Sequence, residues 1–235
     1  YYLGDYSTGL FEVAFLISMK AIVCAQIFSK SIFPYLSEHH NKGDKTSFNS
    51  LAKNILKLSY LLSFVLFVFI YFGSELIVDL FFDLNIYYES VQLVKILCFA
   101  LFFKVYTTSL TDILTTSFKQ ELRTKAVTYG AIVSILSLLF FVPIFNLVGA
   151  AYSVVVSEFT IMFFSILYST KYIRDLAIHL IFINLIIIIA LALFLKFTEI
   201  PFGLEIACSF ALFVLFSSLF KSFSNKDFKN LKSEI

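Results

Sequence analysis

Apolar residues run through this 235-residue chain in seven long stretches separated by short polar gaps. The stretches cover residues 8–36, 58–80, 91–114, 126–143, 149–168, 176–195 and 204–220. About 20 apolar residues cross the hydrocarbon core of a bilayer as a helix, so the pattern predicts seven transmembrane helices. Barrel strands would alternate apolar and polar positions over about 10 residues, and these runs do not. Pro34, Pro143 and Pro201 fall at stretch ends, where a missing N–H disturbs a helix least. The fold class expected is an all-α polytopic membrane protein.

Finer features follow from the same pattern. The first stretch is longer than a crossing requires, which predicts tilt or extension beyond the membrane. Gly73 and Ser74 predict a break near the outer end of the second. Between these two stretches, Phe48, Leu51, Ala52, Ile55 and Leu56 recur at helical spacing with lysines between them. That spacing predicts an amphipathic helix lying on the inner membrane surface. Cys24, Cys98 and Cys208 each sit alone inside an apolar stretch, as small hydrophobes for helix packing.

Charge adds direction. Gaps 37–57, 115–125, 169–175 and 221–235 hold 13 of the 18 Lys and Arg residues, and gaps 1–7, 81–90, 144–148 and 197–203 hold none. Short basic loops stay in the cytoplasm, so the chain is expected to start outside and end inside. The composition, 60% hydrophobic and 14% charged with mean hydropathy +0.90, leaves no room for a separate soluble domain. The net charge of +2 is spread over one membrane face rather than gathered into a nucleic-acid patch, so no nucleic-acid partner is expected. The first residue is Tyr, and no basic segment precedes an apolar leader. The chain is therefore expected to be the C-terminal part of a longer protein.

Some charges remain inside the stretches. Each costs roughly 2.5–3.5 kcal/mol at the bilayer centre, so it must face protein or water. In the first stretch Glu12, Lys20, Gln26 and Lys30 fall on one arc: at 100° per residue Lys30 aligns with Glu12, Gln26 lies about 40° to one side and Lys20 about 80° to the other. The three charges cost about 8–10 kcal/mol together, close to what the apolar residues of the stretch return. In the third stretch Lys104, Thr107, Thr108, Thr111, Asp112 and Thr115 form a second polar stripe. Lys95 points the opposite way, near the outer end, and can snorkel. The fifth stretch carries Glu158. Stretches one, three and five are therefore expected to line a cavity, with six and seven facing lipid. Pairing between neighbouring helices, for association alone, is the other reading of these charges. Lys30 and His179 are read as interfacial. His39 and His40 are read as loop residues without ligand spacing, so neither a metal nor a cofactor is expected.

Three segments resemble the polysaccharide-flippase branch of the multidrug/oligosaccharidyl-lipid/polysaccharide exporter superfamily. Gly4-Asp5-Tyr6-Ser7-Thr8-Gly9, with Phe33-Pro34-Tyr35-Leu36-Ser37 closing the same helix, is similar to the family's G-x-Y-S-x-A opening and P-x-L-S ending, with Gly9 in place of alanine. Residues 80–97 resemble its short outer loop, where a tyrosine feeds a Leu/Ile-rich helix. Pro143-Ile144-Phe145-Asn146-Leu147-Val148-Gly149-Ala150-Ala151, with Ser157-Glu158 after it, is similar to the family's P-x-x-G-x-x-G-A-A, with Asn146 in place of the first glycine. Asn tolerates a left-handed turn better than most residues. The segment is expected to form a short outer hairpin, with Gly149-Ala150-Ala151 allowing close helix packing.

The resemblance implies a two-lobed exporter of which residues 1–170 form the C-terminal lobe. Residues 171–221 then supply two peripheral helices, and 222–235 a cytoplasmic tail. It implies translocation, without chemistry, of a lipid-linked oligosaccharide on an undecaprenyl-diphosphate carrier across the bacterial inner membrane. Lys20 and Lys104 are then expected at the diphosphate, and Thr108 and Thr111 at the sugars. Glu12, Asp112 and Glu158 would balance charge or couple an ion. Membrane lipid, a polysaccharide polymerase and chain-length proteins are the implied partners. A cation-coupled drug exporter of the same superfamily is the alternative. A polysaccharide polymerase or ligase is a third reading, but it would show a large basic outer loop. Every outer gap here has ten residues or fewer and no Lys or Arg.

Overall fold

The computed structural model describes residues 4–171 and 173–182, which are helical apart from short turns, with no strand among them. Five helices follow in order: α1 Gly4–Lys20, α2 Ile22–Asn41, α3 Lys45–Phe81, α4 Leu84–Thr116 and α5 Gln120–Tyr168. A further helical segment covers 173–182. Four runs are long and apolar enough to cross a membrane: α1 with α2, α3, α4 and α5. The described residues are thus all-α, with the character of a membrane protein. The seventh stretch, most of the sixth, Cys208 and the tail lie outside the described residues.

The first stretch is a single crossing in two pieces. The helix breaks at Ala21, whose carbonyl accepts from the Cys24 N–H at 3.3 Å. Beyond the break α2 continues to Asn41, so His39 and His40 are helical rather than loop residues. Cys24 is exposed and Cys98 buried, so only the second of these serves core packing.

α3 departs from the sequence reading twice, and one cause accounts for both. It runs unbroken through Gly73 and Ser74, both buried. It also absorbs the stretch expected to lie flat on the membrane: Phe48, Leu51, Ala52, Ile55 and Leu56 are all buried. A helix of 37 residues is about 55 Å long, well beyond the roughly 30 Å hydrocarbon core. Because α2 runs past the hydrocarbon core as well, this N-terminal part of α3 finds a protein surface to pack on rather than a lipid one. Asp44 starts the helix by accepting from the Thr46 and Ser47 backbone N–H groups at 3.2 and 3.1 Å. Hydrogen bonds from Ser47 and Thr46 hold the Asp44 carboxyl well below the ordinary carboxylate range.

α4 is the helix on which the others assemble, for it packs against α1, α2, α3 and α5. Leu97, Cys98, Ala100, Leu101, Val105 and Leu110 are fully buried on it. Polar ties fix its neighbours: Ser90 donates to the Leu10 carbonyl at 2.9 Å, and Ser109 hydrogen-bonds Ser59 of α3. Tyr6 donates to the Ile86 carbonyl at 3.1 Å, so gaps 1–7 and 81–90 meet at one end of the bundle.

α5 reverses on itself. Asn146 adopts φ 51°, ψ −127°, and the two arms return antiparallel. Tyr129 meets Phe164 with ring centroids 4.6 Å apart, Phe141 meets Tyr152 at 6.4 Å, and Ser157 donates to the Gly130 carbonyl at 3.1 Å. The expected hairpin is therefore present, with Asn146 turning the chain. At Gly149 the arms meet backbone to backbone, since a Cβ there would lie 2.2 Å from the Phe141 carbonyl oxygen. The first arm exposes Ile132, Ile135, Leu136, Leu139 and Phe140, an apolar wall suited to lipid.

Two outcomes follow. Gly149→Ala is expected to lower stability in detergent by about 1–3 kcal/mol, because backbone must move to admit the methyl group. Asn146→Gly is expected to leave it unchanged or raise it. An unaltered unfolding midpoint for Gly149→Ala would contradict the close approach of the arms. The Asp44 cap, its pKa depressed on folding, contributes fully above the ordinary carboxylate value of 3.8 and fades as pH falls below it. The midpoint difference between wild type and Asp44→Asn is therefore expected to stay constant at neutral pH and to shrink under acid conditions.

Candidate functional site

The C-terminal half of α4 carries a single open stripe. Of residues 100–116, only Lys104, Thr108, Asp112 and Thr115 are not buried. Their spacing of four, four and three residues keeps them in line along the helix. On a helix otherwise enclosed by apolar contacts, the open positions coincide with the polar ones. The remaining members of the predicted stripe are enclosed: Thr107 is 4% exposed and Thr111 7%. Thr111, one of the two threonines expected at the sugars, therefore stands off the open face, and its hydroxyl donates to the Thr108 carbonyl at 2.9 Å.

The threonine hydroxyls bond back into their own helix. Thr108 donates to the Lys104 carbonyl at 2.9 Å and Thr115 to the Thr111 carbonyl at 2.7 Å. Their donors are satisfied, while the oxygens keep accepting capacity toward the open side. Arg123, at the start of α5, uses this by donating to Thr115 Oγ1 at 3.0 Å.

At the upper end of the stripe Lys104 Nζ meets Glu158 Oε1 at 2.7 Å. The lysine side chain is 38% exposed and the glutamate 12%. Helix α4 and the second arm of α5 are thus joined by a charge-assisted hydrogen bond. Glu158 Oε2 is buried and has no hydrogen-bond partner among the described residues. Lower down, Ser29 of α2 donates to Asp112 Oδ2. Lys30 and Arg123 lie within electrostatic reach of the same carboxylate. Ser29, Asp112, Ser109 and Thr116 line a small cavity of about 10 Å³, room for a single water molecule.

The first crossing contributes charges of a different kind. Glu12, Lys20, Gln26 and Lys30 are all exposed. The break at Ala21 interrupts the single helix on which their common arc was projected, yet all four still turn away from the packed interior. Among the described residues Glu12 and Lys20 have no ion-pair partner. Lys95, expected to snorkel, instead pairs with Glu75 of α3 at 3.2 Å.

Ser29 and Arg123 join the site without having been singled out from the sequence. Ser29 directly precedes Lys30 but is buried, about 100° around the helix from it and off the charged arc, and a serine carries no charge to mark it. Arg123 counts among the basic residues of gap 115–125, and only the turn between α4 and α5 brings it back to the stripe. No family model matches the chain, and no curated protein or solved structure matches it either.

Breaking the Lys104–Glu158 pair from one side is expected to cost more than removing both charges. Lys104→Met strands a mostly buried carboxylate, whereas Lys104→Met with Glu158→Gln does not. A double-mutant cycle on unfolding in detergent is expected to give a coupling of about 1 kcal/mol, modest because the lysine is partly exposed. A coupling near zero would show the pair to be incidental.

Proposed function

We propose that the chain is the C-terminal lobe of a flippase that moves a lipid-linked oligosaccharide across the bacterial inner membrane by alternating access, with its start periplasmic and its end cytoplasmic. The observation that carries this reading is the open polar stripe on the most enclosed helix, headed by Lys104. Lys104 and Asp112 each hold one neighbouring helix, yet with Thr108 and Thr115 they stay only partly covered, and those pairings alone do not call for a continuous polar row along the side of α4 that protein leaves open. A cavity against a second lobe calls for one. The stripe fits a substrate with an anionic diphosphate and a hydroxyl-rich head: Lys104 as cation, Thr108 and Thr115 as acceptors for sugar hydroxyls, Asp112 as the balancing charge. The exposed Lys20, beside the break at Ala21, would add a second cation from the first crossing.

Glu158 fits a positioning part. Its bond to Lys104 holds the ammonium at the edge of the stripe, and an arriving diphosphate would compete with the carboxylate for the lysine. The same bond disfavours the cation-coupled drug exporter, which would present carboxylates to its cargo; here a lysine occupies one oxygen of Glu158.

In a strain whose surface polysaccharide depends on the full-length protein, Lys104→Ala is expected to cut polysaccharide export by about ten-fold or more, the loss of one hydrogen bond to a charged group. Lys104→Arg should retain most of it. The exchange Lys104→Glu with Glu158→Lys keeps an ion pair but moves the cation off α4, and is expected to remain defective at normal membrane abundance. Normal surface polysaccharide in Lys104→Ala would remove the lysine from the transport reading.

A further inference from the structure

The basic gaps do more than mark one membrane face. Three of them, far apart in sequence, close around a single cavity of about 650 Å³. The α2–α3 turn supplies His40, Gly43 and Lys45, the α4–α5 turn supplies Ser117 and Lys119, and the segment after α5 supplies Thr170 and Lys171. Three lysines therefore border one concavity. The acidic group on its wall, Asp44, is committed to capping α3. Two rings line it as well, His40 and Phe48, with centroids 5.3 Å apart. The volume is that of an ordinary small-ligand site.

Position decides what such a cavity meets. Helix α4, 33 residues and about 50 Å long, slightly exceeds a whole bilayer of about 40–45 Å with its headgroups. The turn that follows it, and the cavity built on that turn, therefore sit at headgroup level. Phe118, 73% exposed beside Lys119, offers an aromatic side chain to the same layer.

We propose that this cavity binds the phosphate of an anionic phospholipid headgroup in the adjacent leaflet, with Lys45, Lys119 and Lys171 as its cations. Each lysine comes from a different turn, so an occupied site would clamp the α2–α3 turn, the α4–α5 turn and the end of α5 together. The inference stands apart from the transport reading, because it uses none of the residues on the α4 stripe.

Thermal unfolding of the full-length protein in neutral detergent, titrated with phosphatidylglycerol, tests this. Phosphatidylglycerol is expected to raise the midpoint, and phosphatidylcholine is not. Lys45→Gln, Lys119→Gln and Lys171→Gln should each raise the phosphatidylglycerol needed for half the effect by about five-fold. Each variant should match the wild-type midpoint in detergent alone, which shows that it folds. Lys125→Gln, exposed on the same face but outside the cavity, should behave as wild type. Equal stabilisation by phosphatidylcholine would overturn the proposal. So would equal stabilisation by inorganic phosphate at the same concentration, which would make the ligand a soluble anion. An equal loss in Lys125→Gln would overturn it too, by reducing the effect to general surface charge.

Discussion

An ionic side chain carried into hydrocarbon must meet a partner, a dipole or water, and in this chain α4 is where that requirement shapes the packing. Lys104 and Asp112 lie two turns apart on one line, and the neighbouring helices are placed so that each has company. The hairpin of α5 brings Glu158 to the first, and the overshooting α2 brings Ser29 to the second. Apolar contacts supply most of the cohesion, with α1, α2, α3 and α5 all seated on α4. The polar pairs select which face of each neighbour turns inward. A Leu-for-Leu contact tolerates rotation of a helix in lipid, whereas a lysine and a glutamate must find each other.

Small residues and turn chemistry then set how close the elements come. In the hairpin Gly149 lets one arm lie on the backbone of the other, and Ser157 reaches the Gly130 carbonyl across the gap. Without that close approach Glu158 would sit farther from α4. The Asn146 turn, a backbone feature at the end of the bundle, thus contributes to an ion pair deep within it. At the other end, the Asp44 cap starts α3 beside the cavity that gathers three basic gaps.

Much of this was legible in the chain. Hydropathy marked the apolar part of four long helical runs, although α3 begins 13 residues ahead of its stretch, and the proline, asparagine and glycine of 143–149 announced the hairpin. The polar stripe of α4 could be drawn from spacing alone. What spacing could not separate was open from enclosed: Thr108 and Thr111 lie on the same projected arc, yet only the former is open, because that depends on where α2 and α3 stand. The buried segment from Phe48 to Leu56 shows a related gap. Its amphipathic spacing identified a helix with one apolar face, but lipid and protein offer that face the same chemistry. Which one covers it followed from the length of α2, a tertiary fact. Lys95 found Glu75, and Lys104 found Glu158, for the same reason: partners on different helices leave no mark in the spacing of either.

The back-bonded threonines of α4 carry a consequence for how such a face could be used repeatedly. Thr108 and Thr115 on the open face each spend their hydroxyl proton on a carbonyl of their own helix. A surface built this way leaves no dangling hydroxyl proton when a hydroxylated visitor departs, and its oxygens welcome the next one without any side chain having to turn. It can stand dry against a neighbour or wet against solvent at nearly equal cost. On the transport reading proposed above, such indifference to occupancy suits a face that must take up and give back its contents many times.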